Sequence, residues 1–343
     1  MNSSMPLSKP SPQERWQTFS NAKLPKFTRR QKWGGAVGVF VVCTLFAVLL
    51  LPYLLPLTGP SAVAPHQLAD PGGAFVEVNH QQIYFIHLAG DGEIVLLLHG
   101  QGGSTLTWRE TMPALQSAGY DVYALDLPGM GLSQKGLDLN YSHPAIAETV
   151  SAFMDSQRIE KVNLVAHAFG SNIATQLVLS HPERVNKLVL VAPTLFYTPT
   201  AEVPPFLFDL GFLKRWSRVM LQLVLPEAVG EQLRSATKKD EVVTDQLIDD
   251  YSRILRTQDW DLSVIGMLRD SSHNALSGPI QTVQAPVLLM WGMGDGWATP
   301  SAADGMLRDF PNARLVKFEG VGHLPMHEVP TDFNAALIEF LDN

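Results

Sequence analysis

The sequence predicts an α/β protein with a doubly wound, mostly parallel sheet. Three observations lead there. Six short apolar runs recur along the chain after residue 93. Segments long enough for helices separate most of them. The runs carry little alternation, which marks strands buried on both faces rather than on one. Strands alternating with helices form βαβ units, and these make a parallel sheet with helices on both sides.

The elements follow in order. FVEVNHQQIYFIHLAG (75–90) alternates and turns near Asn79 and His80, so it reads as an antiparallel hairpin at the sheet's start. The buried strands are then EIVLLLHG (93–100), DVYALDLPG (121–129), KVNLVAHAFG (161–170), NKLVLVAP (186–193), APVLLMWG (285–292) and ARLVKF (313–318). HPAIAETVSAFMDSQ (143–157) reads as a helix, and SNIATQLVLSHP follows the third strand directly as another. The last stretch places Phe333, Leu337 and Phe340 on one helical face. Residues 194–278 interrupt the alternation. They contain no convincing buried strand, and Pro204, Pro205 and Pro226 punctuate a helical composition. An insertion there lies over the strand ends, where open α/β sheets bind ligands, and it reads as a helical cap.

The part before residue 74 differs. Residues 1–32 carry seven basic side chains against Glu14 alone, a net of +6, whereas the remainder carries −14. An uncharged stretch follows, whose centre GGAVGVFVVCTLFAVLLLPYLLPL (34–57) has 24 residues. About 20 apolar residues span the hydrocarbon core as a helix. The basic cluster Lys23–Lys32 places the N-terminus in the cytoplasm and the rest on the extracytoplasmic side. A cleaved signal peptide is the competing reading. Its apolar region is usually shorter, although GPSAVA (59–64) offers small residues for cleavage. A buried core helix ranks last. Pro52 and Pro56 predict a kinked or early-ending outer end. The expected division is therefore a basic cytoplasmic tail (1–33), a single-pass transmembrane signal anchor (34–57) and a linker (58–73). An α/β core (74–193 and 279–343) with its cap (194–278) completes it.

Composition excludes some classes. Hydrophobic residues at 46% and charged residues at 17% fit a globular chain rather than a disordered one. A net charge of −8 argues against a general nucleic-acid binder. The single cysteine, Cys43, rules out an intrachain disulfide and a CxxC zinc site, and within the apolar run it reads as a small filler. His323 and His327 are four apart, but Pro325 lies between them and no HExxH is present, so no metal site is expected. GMGDG (292–296) lacks the G-x-G-x-x-G spacing and implies no cofactor. NYS (140–142) is a glycosylation sequon, relevant only in a eukaryotic secretory host.

The predicted strand ends carry the chemistry: HGQGGS (99–104), DLPGMGLS (126–133), AHAFGS (166–171), WGMGDGW (291–297) and GVGHLP (320–325). With these motifs in this order, residues 75–343 resemble the α/β-hydrolase family. His99-Gly100 with Gly102 and Gly103 resembles the family's oxyanion loop. AHAFGS occupies the place of its strand–turn–helix nucleophile elbow. Asp295 matches the acid after a late strand and His323 the base of the last loop, in the order that the family uses. The resemblance implies backbone N–H donors at Gln101 and Phe169 for a developing oxyanion. It implies that Asp295 orients His323 and stabilises its protonated form.

The elbow departs from G-x-S-x-G. It reads Ala166-His167-Ala168-Phe169-Gly170, so the nucleophile position, Ala168, holds a methyl group. Covalent serine catalysis is excluded there. Ser171 is expected to point elsewhere, and Ser104 is a distant substitute. Asp126 is expected to tie down its loop, with a fallback role as acid, and His99 to be a turn residue. Three explanations stand: an enzyme in which the Asp295–His323 dyad activates water or removes a proton, a pseudoenzyme that binds a ligand, or a serine replaced deliberately.

The leading expectation is hydrolysis of an ester-like or other acyl bond in a small, lipophilic substrate by a membrane-anchored protein. It needs no cofactor or metal and involves no nucleic acid. The alternatives are a catalytically inactive ligand-binding protein, and a dyad-based lyase or cofactor-independent oxygenase. PPFLFDLGFLKRW (204–216) reads first as a cap helix packed on the core. Its other reading is a membrane-facing lid edge with snorkelling Lys214 and Arg215.

Overall fold

The computed structural model describes residues 29–57, 62–195, 204, 206–274 and 276–343. Most of the expected tail, the first linker residues and the start of the expected cap lie outside these. The chain divides into two compact units, Met1–Leu54 and Leu55–Asn343.

The described part of the first unit is a single helix, α1 (Arg29–Leu54). Its stretch Val37–Leu54 has a mean hydropathy of 2.5 and is long and apolar enough to cross a membrane. The helix passes through Pro52 and stops at Leu54, before the residue preceding Pro56.

The second unit contains one eight-stranded sheet in the order β1-β2-β4-β3-β5-β6-β7-β8. Strands β1 (Gly73–Val78) and β2 (Gln81–Leu88) form the expected hairpin. Asn79 and His80 both adopt positive φ there (50° and 61°), the requirement of a tight two-residue hairpin turn. Strand β2 also pairs antiparallel with β4. All other pairings are parallel: β3 (Ile94–Leu98), β4 (Asp121–Leu125), β5 (Val162–His167), β6 (Val185–Val191), β7 (Val287–Gly292) and β8 (Ala313–Phe318). All six runs read from the sequence are strands, but β8 is not buried on both faces as expected: it lies at the sheet edge, where only Phe318 is buried.

Helices cover both faces. On one side pack α3 (His143–Ser156), α4 (Phe169–Ser180) and α9 (Ala303–Asp309). On the other pack α2 (Thr111–Ser117), the short α10 (Pro325–Glu328) and the terminal helix α11 (Pro330–Asp342). The pleat sorts the strand residues between these layers. Leu96 and Leu98 of β3 face the first layer, Val95 and Leu97 the second, and all four are fully buried. Burial of such a side chain is worth about 1.5–3 kcal/mol, which explains runs without polar alternation. Phe333, Leu337 and Phe340 of α11 are buried as their spacing predicts.

Between β6 and β7, the described residues contain helices and no strand: α5 (Phe206–Asp209), α6 (Gly211–Ala236), α7 (Asp245–Ser252) and α8 (Trp260–Asp270). Salt bridges anchor this insertion. Arg109 pairs with Asp250 at 2.6 Å, and Arg253 pairs with Asp70 at 2.7 Å. Within it, Arg218 of α6 meets the fully buried carboxylate of Asp261 at 2.8 Å.

The strand order reverses around β3, because β4 lies on one side of it and β5 on the other. Such a reversal splays the loops at the carboxyl ends and opens a crevice between them. The loops after β3 and β5 flank this position, and the loops after β7 and β8 complete one end of the sheet.

Candidate active site

The turn after β5 is the site's most constrained backbone. Ala168 adopts φ 46° and ψ −110°, a region disfavoured for any residue with a Cβ and costing about 1–3 kcal/mol. The turn holds because its neighbours pin it. The Ala168 N–H donates to Val191 O at 2.9 Å, and its carbonyl accepts from the Ser171 N–H at 3.0 Å. Gly170 permits the approach to β3: a Cβ there would lie 2.6 Å from His99 O and 2.8 Å from Leu98 O. Ala166, where the family pattern has glycine, is fully buried at the end of β5.

Helix α4 begins at once with Phe169. The first N–H groups of a helix have no intrahelical acceptor. Among the described hydrogen bonds, none takes up the N–H of Phe169 or that of Gln101. The loop after β3 reaches the same place. A Cβ on Gly100 would come within 3.2 Å of the Ala168 Cβ and 2.7 Å of His167 Nδ1. Gly100 therefore sets Gln101 beside the elbow.

Asp126 and His99 hold that loop. One Asp126 oxygen accepts from the Thr105 N–H and the other from the Leu132 N–H, each at 2.6 Å. His99 Nδ1 lies 2.7 Å from Gly100 O and must donate to it, so Nε2 accepts the Leu127 N–H at 3.0 Å. Burial disfavours charge on both, raising the Asp126 pKa and lowering that of His99. Asp126 has the loop-tying geometry expected from sequence, and His99, expected as a turn residue, bonds to its own turn at Gly100 and across to Leu127.

The loop after β7 presents Asp295 and that after β8 presents His323. Asp295 Oδ2 lies 2.8 Å from His323 Nδ1. Its Oδ1 accepts from the N–H groups of Trp297 and Ala298 at 2.8 and 2.9 Å. Both residues are 5% exposed, so water screens the pair little. Donation from Nδ1 to the carboxylate leaves Nε2 as the lone-pair nitrogen.

His323 is held on several further sides. Its N–H donates to Ala236 O at 2.7 Å, and its carbonyl accepts from His167 Nε2 at 2.9 Å. The rings of His167 and Trp297 lie 4.7 and 5.3 Å from its own. A carbonyl can only accept, so His167 carries its proton on Nε2. Burial first, and the neighbouring His323 second, hold the His167 pKa well below the usual histidine value. It is a neutral strut.

Gly100 brings the Gln101 loop against Ala168, which Phe169 follows, and His167 joins this turn to His323 and its partner Asp295. The serines do not take over the missing nucleophile. Ser171 Oγ is buried and donates to Ala166 O at 3.0 Å. Ser104 Oγ accepts from the Leu106 N–H and caps a short turn. His327 does not join His323 in a metal cluster, and no metal-binding group occurs among the described residues. It contacts the Tyr251 hydroxyl at 3.1 Å instead. Burial, and Arg109 after it, push its pKa down to about 3.

Sequence reasoning missed the supports. Glu328 accepts from the Gly322 N–H at 2.9 Å and from the Lys238 N–H at 2.7 Å. It clamps the histidine loop to the chain just after α6. Nothing in the local sequence marks this, because the partner lies 90 residues upstream.

Known proteins place this geometry in context. The sequence model described as alpha/beta hydrolase fold matches residues 93–330. The uncharacterized hydrolase YugF of Bacillus subtilis is 24% identical over 274 residues, covering 77% of this chain and 96% of that protein. A 2-hydroxy-6-oxononadienedioate/2-hydroxy-6-oxononatrienedioate hydrolase of Comamonas testosteroni is 28% identical over 291 residues, covering 78% and 96%. Among solved structures, a bacterial membrane phospholipase A aligns with a TM-score of 0.65 at 24% identity, covering 91% of this chain and 98% of that one.

Proposed function

The chain belongs to the α/β-hydrolase family, and from that premise we propose that it hydrolyses ester-like acyl bonds without a serine nucleophile. The observation that carries this reading is the buried contact of 2.8 Å between His323 and Asp295 beside a strained elbow that presents only a methyl group. Hydrolase relatives support the reaction class.

In this reading the nucleophile is water. His323 Nε2 removes a proton from a water molecule as its oxygen bonds to the acyl carbon. The carbonyl electron pair moves onto oxygen, which the N–H groups of Gln101 and Phe169 stabilise. Asp295 balances the imidazolium that forms. When the tetrahedral intermediate collapses, the bond to the leaving oxygen breaks and that oxygen takes the proton from His323. Triad proteases without one triad member retain roughly 10³–10⁴-fold catalysis over water, so a dyad with oxyanion donors is a working site.

The helical insertion α5–α8 is the cap in this account. Helix α1 is a signal anchor with the N-terminus cytoplasmic and the second unit extracytoplasmic, and the substrate is small and lipophilic. The test is ester hydrolysis across short and long acyl chains by the full-length protein beside His323→Ala. Turnover that His323→Ala abolishes is expected. Equal rates for the two proteins overturn the reading. A second reading, a ligand-binding protein, draws on Ala168 itself and expects saturable ligand binding with no turnover.

A further inference from the structure

The outward face of α6 changes character along its length. Val219 and Leu233 are buried, and Arg218 turns inward to Asp261. On the opposite side, Leu213, Trp216, Met220, Leu223 and Val224 recur at three- and four-residue spacing and share one face. Leu213 and Trp216 are half-buried, whereas Met220 is 45%, Leu223 62% and Val224 58% exposed. Leu210, just before the helix, is also exposed. One turn further on, the same face carries exposed Glu227 and Glu231. Scattered surface leucines are ordinary, but a contiguous apolar stripe that ends at acidic residues marks an interaction surface.

The path of the chain identifies the occupant. Leu55 is the first residue after α1, and its carbonyl accepts from Arg215 of α6 at 2.6 Å. Leu57 is buried within the second unit. The Val63 N–H then donates to Arg256 O at 2.8 Å, and Val63 bridges to Thr257. Leu55 and Val63, both in the second unit, are therefore hydrogen-bonded to the helical insertion. Met220, Leu223 and Val224 follow Arg215 by five to nine residues, about 8–14 Å along the helix axis. Amphipathic helices in a bilayer interface bury their apolar face about 5–10 Å deep.

We infer that the N-terminal half of α6 docks into the lipid bilayer interface through Leu213, Trp216, Met220, Leu223 and Val224. This inference rests on the reading of α1 as a membrane anchor. Its consequence is that the cap presents the site to lipid-borne substrate rather than to bulk water.

The test uses the full chain in lipid nanodiscs, with an environment-sensitive fluorophore on one cysteine at a time. Leu223→Cys and Ser235→Cys, each combined with Cys43→Ala, probe the apolar stripe and an exposed position near the end of the same helix. The label at 223 is expected to shift to the blue and to be quenched several-fold more by nitroxide lipids than by an aqueous quencher. The label at 235 is expected to show the opposite order. Quenching at 223 that matches 235 overturns the inference. So does shielding that depends on protein concentration in detergent, which would assign the face to a second copy. Labelling the native Cys43 separates the two levels. Lipid quenching at 43 without it at 223 defeats the docking and spares the anchor, while its absence at 43 defeats the anchor.

Discussion

His167 Nε2 donates to the backbone carbonyl of His323 at 2.9 Å, joining the residue before Ala168 to the histidine that meets Asp295. The bond spans 156 positions of sequence and links the ends of β5 and β8. In this family's order of motifs the elbow and the histidine loop are neighbours in space. Here a buried side chain ties them together. His167 is a positioning residue in this account.

His167→Phe keeps a ring in place and removes the donor. A buried carbonyl left without its partner costs about 1–3 kcal/mol. Thermal unfolding of the variant is expected at lower temperature. Ester turnover is expected to fall in kcat with KM little changed, because the base is displaced and the pocket is not. An unchanged kcat would show that the His323 loop needs no such strut.

Asp295→Asn tests orientation of the base. The carboxylate accepts from Trp297, Ala298 and His323 at once, so the amide must place an NH₂ group against at least one donor. In a Ser-His-Asp protease the matching change lowers kcat roughly 10⁴-fold with geometry intact. A loss of two to four orders is expected here, roughly in that range. Steady-state kinetics with an activated ester decide it, and a loss below tenfold contradicts the role given to Asp295.

Most strands were legible because the sheet is buried on both faces, so each run such as Leu96–Leu98 is apolar without interruption. The hairpin was legible because Asn79 and His80 suit positive φ. The dyad was legible because its members sit just past strand ends. The clamp of Glu328 and the strut of His167 were not. Each joins residues far apart in sequence, and a buried polar group is read from its partner, not from its neighbours in the chain. The stripe on α6 was visible only as apolar composition. Which side faces outward depends on what the helix packs against, and Asp261, 43 residues from Arg218, decides that.

Acid is expected to destabilise the second unit through its buried histidines. His327 is held at about 3 and His143 at about 4, both by burial. The unfolded chain takes up these protons near pH 6.5, so between that pH and the folded values it binds more protons than the native state. Stability is therefore full above about pH 6.5 and falls as the pH drops toward 4, by on the order of 1 kcal/mol per unit for each histidine. Denaturant melts at pH 7, 6, 5 and 4 measure the slope. His327→Gln, which can still accept from Tyr251, is expected to flatten it, and an unaltered slope would remove His327 from the cause.

The most direct test of the water-activating dyad is the intact mass of the protein during turnover of an activated ester, for the native chain beside Ala168→Ser. The native protein is predicted to release product with no acyl adduct, and Ala168→Ser to accumulate one on residue 168. A native protein that is silent while Ala168→Ser turns over would contradict the account, because the site would then lack only its nucleophile and serve for binding. An acyl adduct on the native chain would contradict it equally, by revealing a nucleophile other than water.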